Sequence, residues 1–304
     1  MTKLRIHAIA AVFLAATATA ATTARSQARP FKVLISVDME GITGVVTAEQ
    51  LAPAGFEYAR FREFMTAEAL AAVEAAKESG AGEIVVVDAH GNGQNLLIER
   101  FPADVRVIRS WPRPLMMMEG IDSSFSAAVF IGYHSATTNS RGVRAHTISS
   151  ANLAAVEING IAVGESGINA AIAGHFGVPV VAISGDDAAV AEAQQLIGPI
   201  EGAIVKKALS FHSANTLTPQ AGLVLIREKV KAGLSRRASL RPYVVRGPIR
   251  LDITFKSYTP AEIVAYLPGI QRLTAHSIRF TGRDMIEVSR FIEFLNTYQA
   301  GLTP

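Results

Sequence analysis

A chain of 304 residues with 49% hydrophobic content can bury a full core, as one large domain or two modest ones. It has no cysteine, which excludes disulfides and thiolate ligands and leaves His, Asp and Glu to hold any metal. The formal charge of +3 resides in residues 1–28: without Lys3, Arg5 and Arg25, 26 basic residues face 26 acidic ones, and no nucleic-acid footprint remains.

Those first residues have a secretory layout. Lys3 and Arg5 make a basic start, Ile9 to Ala21 is apolar and Ala-rich, and small-residue sites follow at Ala18-Thr19-Ala20 and Ser26-Gln27-Ala28. The apolar stretch is short for a membrane span. The expectation is a signal peptide over 1–28, an exported, periplasmic protein, and no stable membrane span after cleavage.

Lys32–Val37 is a short apolar run rich in β-branched residues and reads as a buried strand. After an irregular stretch with Pro53 and Gly55, Tyr58 to Lys77 reads as an Ala-rich amphipathic helix, closed by Ser79-Gly80 and Gly82. Ile84–Val87 is the next strand, so the two strands form a parallel βαβ pair. Val105–Ile108 and Ala127–Ile131 follow as strands, and His134 to His146 is a polar loop. Asn159-Gly160, between Ala154–Ile158 and Ile161–Val163, signals a type I′ hairpin. A helix from Glu165 to Ala173, a strand over Val178–Ser184 and a helix from Asp187 to Leu196 complete an expected α/β domain over 30–210. Residues 211–304 are expected to form a smaller α+β portion. It contains helices over Pro219–Ala232, from Pro260 and over Asp284–Tyr298, with strands near Ile249–Phe255 and Ser277–Thr281. The fold class is α/β: an open, mostly parallel sheet flanked by helices, with that smaller C-terminal α+β portion.

Three apolar strands run straight into metal-ligand residue types: Asp38 and Glu40, then Asp88 and His90, then His134. In an open α/β sheet the carboxyl ends of parallel strands form the edge where ligands bind. Asp38 and Glu40 stand at i and i+2, so both side chains leave an extended segment on the same side. Two like charges there repel, and a cation would relieve the repulsion; equally, the pair would serve as a cap and a surface acid before the turn at Gly41. Gly91-Asn92-Gly93 matches neither a dinucleotide fingerprint nor a P-loop. Glu165 opens a helix, where an acid also suits the dipole, and His146 ends the polar loop as a mobile acid/base or a surface imidazole. Asp186-Asp187 read as a helix cap, His175 as a partner for C-terminal carbonyls, and Met116–Met118 as core or subunit contact. Five termini gathered at one edge point to a hydrolase run by a metal cluster at the top of a parallel sheet. Asn92 and Asn95 are candidates to orient substrate.

The run Ser36-Val37-Asp38-Met39-Glu40-Gly41 resembles the N-terminal signature of the DppA-type zinc D-aminopeptidases. Matching segments follow in order: Asp88-Ala89-His90, Met118-Glu119-Gly120, Ile131-Gly132-Tyr133-His134, His146, Asn159-Gly160, Val163-Gly164-Glu165 and Ser184-Gly185-Asp186-Asp187. Tyr266-Leu267-Pro268-Gly269 and Asp284-Met285 extend the resemblance along the chain. It implies two zinc ions per chain held at Asp38, Glu40, His90, His134 and Glu165, with Asp38 bridging and His146 as the catalytic histidine. It also implies a homo-oligomer, a ring-like decamer, that cleaves N-terminal D-residues from short peptides or amides. A five-residue set with one bridging carboxylate suits two metals about 3.5–4 Å apart. Two features depart from the pattern: the export signal, and a loop before His146 that is one residue longer. Two further readings stay open. One is another dinuclear metal amidohydrolase, acting on amidated amino acids or cell-wall fragments. The other is an exported metal- or peptide-binding protein without turnover.

Overall fold

The computed structural model describes Met1 and residues 30–298; the expected signal peptide lies outside the described residues. Strand β1, Phe31–Val37, is buried on both faces, which is why it reads as an unbroken apolar run rather than an alternating one. Val33, Ile35 and Val37 enter one core, and Leu34 enters the other. The first core is capped by helix α1, Tyr58–Glu78, and by helix α4, Pro219–Ser235, which pack on each other. α4 starts as its sequence dictates, with Thr218 accepting from the Ala221 amide and Pro219 at the first helical position.

The larger sheet adds β2 (Ala81–Asp88), β3 (Val105–Ile108), β4 (Ala127–Tyr133), β7 (Val180–Asp186), β8 (Glu201–Ser210) and β9 (Ser213–Thr216). Their order is β3-β2-β1-β4-β7-β8-β9. All neighbours are parallel except the β8–β9 hairpin. From β1 the chain first builds outward through β2 and β3, then returns to place β4 on the other flank of β1. The β1/β4 boundary is thus the switch point, where side chains beyond the strand ends face an open crevice.

A second sheet contributes to the other core, the one that Leu34 enters. It contains β5 (Leu153–Ile158), β6 (Ile161–Ala162), β10 (Ile249–Phe255), β11 (Ile270–Arg272) and β12 (Ser277–Gly282), in the order β11-β12-β10-β5-β6 and antiparallel throughout. Helices α2 (Glu165–His175), α3 (Asp187–Ile197), α5 (Tyr258–Val264) and α6 (Met285–Thr297) complete the described elements. Asn159 and Gly160 both take positive φ, 52° and 83°, as the type I′ turn between β5 and β6 requires.

The boundary expected at 210/211 does not divide the molecule. It falls inside the β8–β9 hairpin, and α4 beyond it packs on α1 and β8. Conversely, the β5–β6 hairpin from the first expected domain pairs with β10 of the second sheet. The strands at 201–216 were not expected because their lysines and serines break the apolar run, yet Lys206 is fully buried. Among the described residues no helix is long and apolar enough to cross a membrane.

Candidate metal centre

Asp38 follows β1, His90 lies two residues past β2, and His134 directly follows β4. Parallel registry aligns these strand ends: the Asp38 amide donates to the Ile131 carbonyl at 2.8 Å, and the Ala89 amide to the Val37 carbonyl at 2.8 Å. Glu165 arrives from the other side, as the first residue of α2. The result is two triads, each with ligand atoms within 4.8 Å of one another: Asp38, Glu40 and His90, and His134, His146 and Glu165.

Each imidazole is oriented by a backbone carbonyl, which can only accept. His90 Nε2 lies 2.9 Å from the Leu51 carbonyl, His134 Nδ1 lies 3.0 Å from that of Ser135, and His146 Nδ1 lies 2.8 Å from that of Arg144. The opposite ring nitrogen of each histidine therefore faces the cluster. His90 Nδ1 stands 2.9 Å from Glu40 Oε2 and 3.3 Å from Asp38 Oδ1. His134 Nε2 stands 3.3 Å from both Asp38 Oδ2 and Glu165 Oε2. Asp38 thus turns one oxygen to each triad. Its Oδ2 and His134 Nε2 are buried without a hydrogen-bond partner. Orphaned atoms of this kind, among carboxylates and imidazoles, are a donor set suited to zinc.

His146 differs from the others. Its ring stacks on His134 at 4.0 Å between centroids, but its Nε2 remains 3.9 Å from Glu40 Oε1 and 3.8 Å from Glu165 Oε1. Its side chain is 12% exposed against 1% for His134 and lines the cavity, so a substrate can reach it.

Electrostatics shows what the cluster does without a cation. Burial pushes the Asp38 carboxyl up, and the Glu40 charge adds to that, against the pull of His134 and His90. For Glu40, burial is outweighed by His90 and the other imidazoles, which hold it well below the usual carboxylate range. Burial would lower His90 and His134, but Glu40 with Asp38, and Glu165 with Asp38, hold them well above the ordinary imidazole value. At neutral pH both rings therefore keep a proton that a bound metal must displace. Zinc uptake by the metal-free protein should release protons, and apparent affinity should rise with pH, about tenfold per unit for each proton displaced. Calorimetric titration with zinc in buffers of different ionisation enthalpy measures that release. Uptake without proton release would refute this account of the two rings.

Several contributors carried no signal in the sequence. Lys206 of β8 sends its buried ammonium to the carbonyls of Glu40, Ile42 and Val45 at 2.5, 3.1 and 2.6 Å, pinning the ligand loop. Burial lowers it to about 8, offset by the charges of Asp186, Glu68, Glu40 and Asp38. Glu68 of α1 accepts from the Thr43 amide in the same loop and is pushed up to about 7 by burial. Ile148 donates its amide to Glu165 Oε1 at 2.7 Å from a left-handed backbone with φ of 63°, an unusual state for a β-branched residue. Only a buried lysine or a strained isoleucine seen in three dimensions reveals these roles.

The expected substrate role of Asn95 is not supported by its position. It is buried, with Nδ2 donating to Asp88 Oδ1 and the His90 carbonyl, and Oδ1 accepting from the Tyr58 hydroxyl. With every polar atom engaged, it holds the His90 loop. Asn92 is exposed and accepts from the Gln94 amide, outside the wall of the cavity that the triads face. That cavity, of about 350 Å³, is walled by Asp38, Glu40, His90, His146 and Glu165 together with Trp111, Arg144, Ile148, Glu293 and Asn296.

Comparison with known proteins bears on this arrangement. A family model for D-aminopeptidases, peptidase family M55, matches residues 31–294. The D-aminopeptidase of Bacillus subtilis strain 168 is 34% identical over 257 residues, 84% of this chain and 93% of that protein. A solved structure, the Zn-dependent D-aminopeptidase DppA from Bacillus subtilis, described as a self-compartmentalizing protease, superposes with a TM-score of 0.84 at 32% identity. The match covers 90% of this chain and all of that one. The chain belongs to the D-aminopeptidase family, and by that membership it is a metal-dependent peptidase.

Proposed function

We propose that this protein removes N-terminal D-residues from short peptides or amides, using two zinc ions. Asp38, Glu40 and His90 would hold one ion; Asp38, His134 and Glu165 would hold the other. The carrying observation is the Asp38 carboxylate, which presents one oxygen to His90 and the other to His134. Zinc bound at such a pair lowers the pKa of a coordinated water and polarises a scissile carbonyl.

The chain's own groups then supply orientation and proton transfer. Neutral His146 carries its lone pair on Nε2, since Nδ1 donates to the Arg144 carbonyl. It can accept a proton there and return it to the departing amine. The stacked His134 ring and the Arg144 carbonyl keep the imidazole from turning away. Glu293 of α6 adds a carboxylate to the cavity wall beyond the metal set, against one guanidinium, Arg144. The Glu293 carboxylate is placed to pair with the ammonium of a free amino terminus.

The layout of residues 1–28 supports export to the periplasm. The self-compartmentalizing relative supports assembly into a closed homo-oligomer.

The test is a panel of D-Ala-D-Ala, D-alanine amide and their L counterparts, with chelator and after zinc readdition, alongside elemental analysis. The expected result is hydrolysis of the D-substrates, abolished by chelator and restored by zinc, at two zinc ions per chain. No turnover of any substrate by zinc-loaded protein would remove the enzymatic reading. Equal rates on the L series would remove the stereopreference, and one zinc per chain would remove the paired-metal site.

A further inference from the structure

A second, smaller cavity of about 160 Å³ adjoins the metal cavity, and the two share Ile148, Ser149 and Asn296 as walls. Its lining is otherwise mainly apolar: Leu153 of β5, Ile253 and Phe255 of β10, Pro260 of α5, and Ile292 and Leu295 of α6. It lies where the second sheet and α6 meet the loop after His146. A cavity of about 150 Å³ lined by Leu, Ile and Phe accepts a benzene-sized molecule, as a cavity engineered into another protein shows. The space fits a branched aliphatic or phenyl side chain.

The connecting loop couples the two cavities. At one end the Ile148 amide holds Glu165 Oε1 at 2.7 Å; at the other, the Asn152 carbonyl accepts from the Lys256 amide at 2.8 Å, just past β10. The left-handed backbone at Ile148 sets its amide on the metal-side carboxylate while its residue forms the partition between the cavities. A group entering the smaller cavity therefore lies one residue from the cluster's own hydrogen bond.

We propose that this cavity is the specificity pocket of the enzyme and takes an apolar side chain of the substrate beside the scissile bond. The proposal rests on the peptidase reading above. Leu295, on the last turns of α6 and half-buried, is the wall that substitution can reshape with least disturbance of the core.

The experiment compares kcat/KM across D-Ala, D-Leu and D-Phe amides, which vary only the N-terminal side chain. A second series of D-Ala-D-Ala, D-Ala-D-Leu and D-Ala-D-Phe varies only the departing one. In one of the two series, wild-type protein should prefer leucine or phenylalanine over alanine by about tenfold or more, and the series that responds identifies the side chain bound. Leu295→Trp should reduce that ratio to about two or less, and Leu295→Ala should move the preference toward phenylalanine. Destabilisation alone lowers both rates together and leaves their ratio unchanged, so the ratio reads the pocket and not the fold. Alanine substrates cleaved with no preference in either series, or ratios unmoved by both variants, would overturn the proposal and leave the cavity to packing between copies of the chain. No cleavage of any substrate in either series would instead strike the peptidase reading itself.

Discussion

Replacing His146 with alanine should lower kcat/KM by about 10²- to 10⁴-fold, the usual worth of a positioned general acid–base. Zinc content should stay at the wild-type level, because neither Glu40 nor Glu165 is held in place by a hydrogen bond from this ring. Its Nε2 stands 3.8–3.9 Å from both carboxylates, beyond hydrogen-bonding reach, and its Nδ1 is held by the Arg144 carbonyl. The paired readout separates two roles. Rate loss with metal retained marks a proton-transfer group, whereas simultaneous loss of zinc would make His146 a third ligand beside His134 and Glu165. A variant as fast as wild type would exclude both. In a non-catalytic metal- or peptide-binding protein, the same substitution would leave ligand affinity intact and change nothing else.

Gly41→Ala should be severely destabilising for so small a change, costing about 4 kcal/mol or more. A Cβ at Gly41 would overlap the carbonyl oxygen of Tyr133 and the carbonyl group of Gly132. Both neighbours are backbone, and they cannot swing aside. The contact is close because the Gly41 amide donates to the Gly132 carbonyl at 2.7 Å, fastening the ligand loop to β4. Gly132 is itself held with φ of 72°, a left-handed state that a glycine adopts freely. At about 2 °C per kcal/mol for a chain of this size, the melting temperature should fall by about 10 °C, or the variant should be insoluble. Gly177→Ala serves as the comparison. Unlike Gly41 it has positive φ, 74°, but nothing lies within 4 Å of its added Cβ, so the loss should be about 1 kcal/mol from the backbone alone. Melting within about 2 °C of wild type for Gly41→Ala would show that the strand ends can move apart.

Much of this molecule can be read from its residues in order. The apolar runs at 31–37, 84–87 and 127–131 announced buried parallel strands because such strands are covered on both faces and need no polar alternation. The Ala-rich helix before β2, the Asn159-Gly160 turn and the Thr218-Pro219 helix start were legible for the same reason: each is local chemistry acting within a few residues. Asp38, Glu40, His90, His134 and Glu165 could be gathered on paper because strand ends in a βαβ fold share an edge.

Tertiary structure decided what depends on partners distant in sequence. It moved the β5–β6 hairpin into the second sheet, since pairing with β10 satisfies an edge that local propensity cannot see. It turned Asn95 from a substrate candidate into a brace between Asp88, His90 and Tyr58. It also gave Lys206 a role at the ligand loop some 160 residues earlier in the chain. The residue types that can hold a metal were written in the chain itself. Which carboxylate faces both imidazoles, which histidine stays free, and which apolar wall adjoins them are matters of angle and distance. Those come only from the packing that brings the strand ends, the loop after His146 and α6 around one cavity.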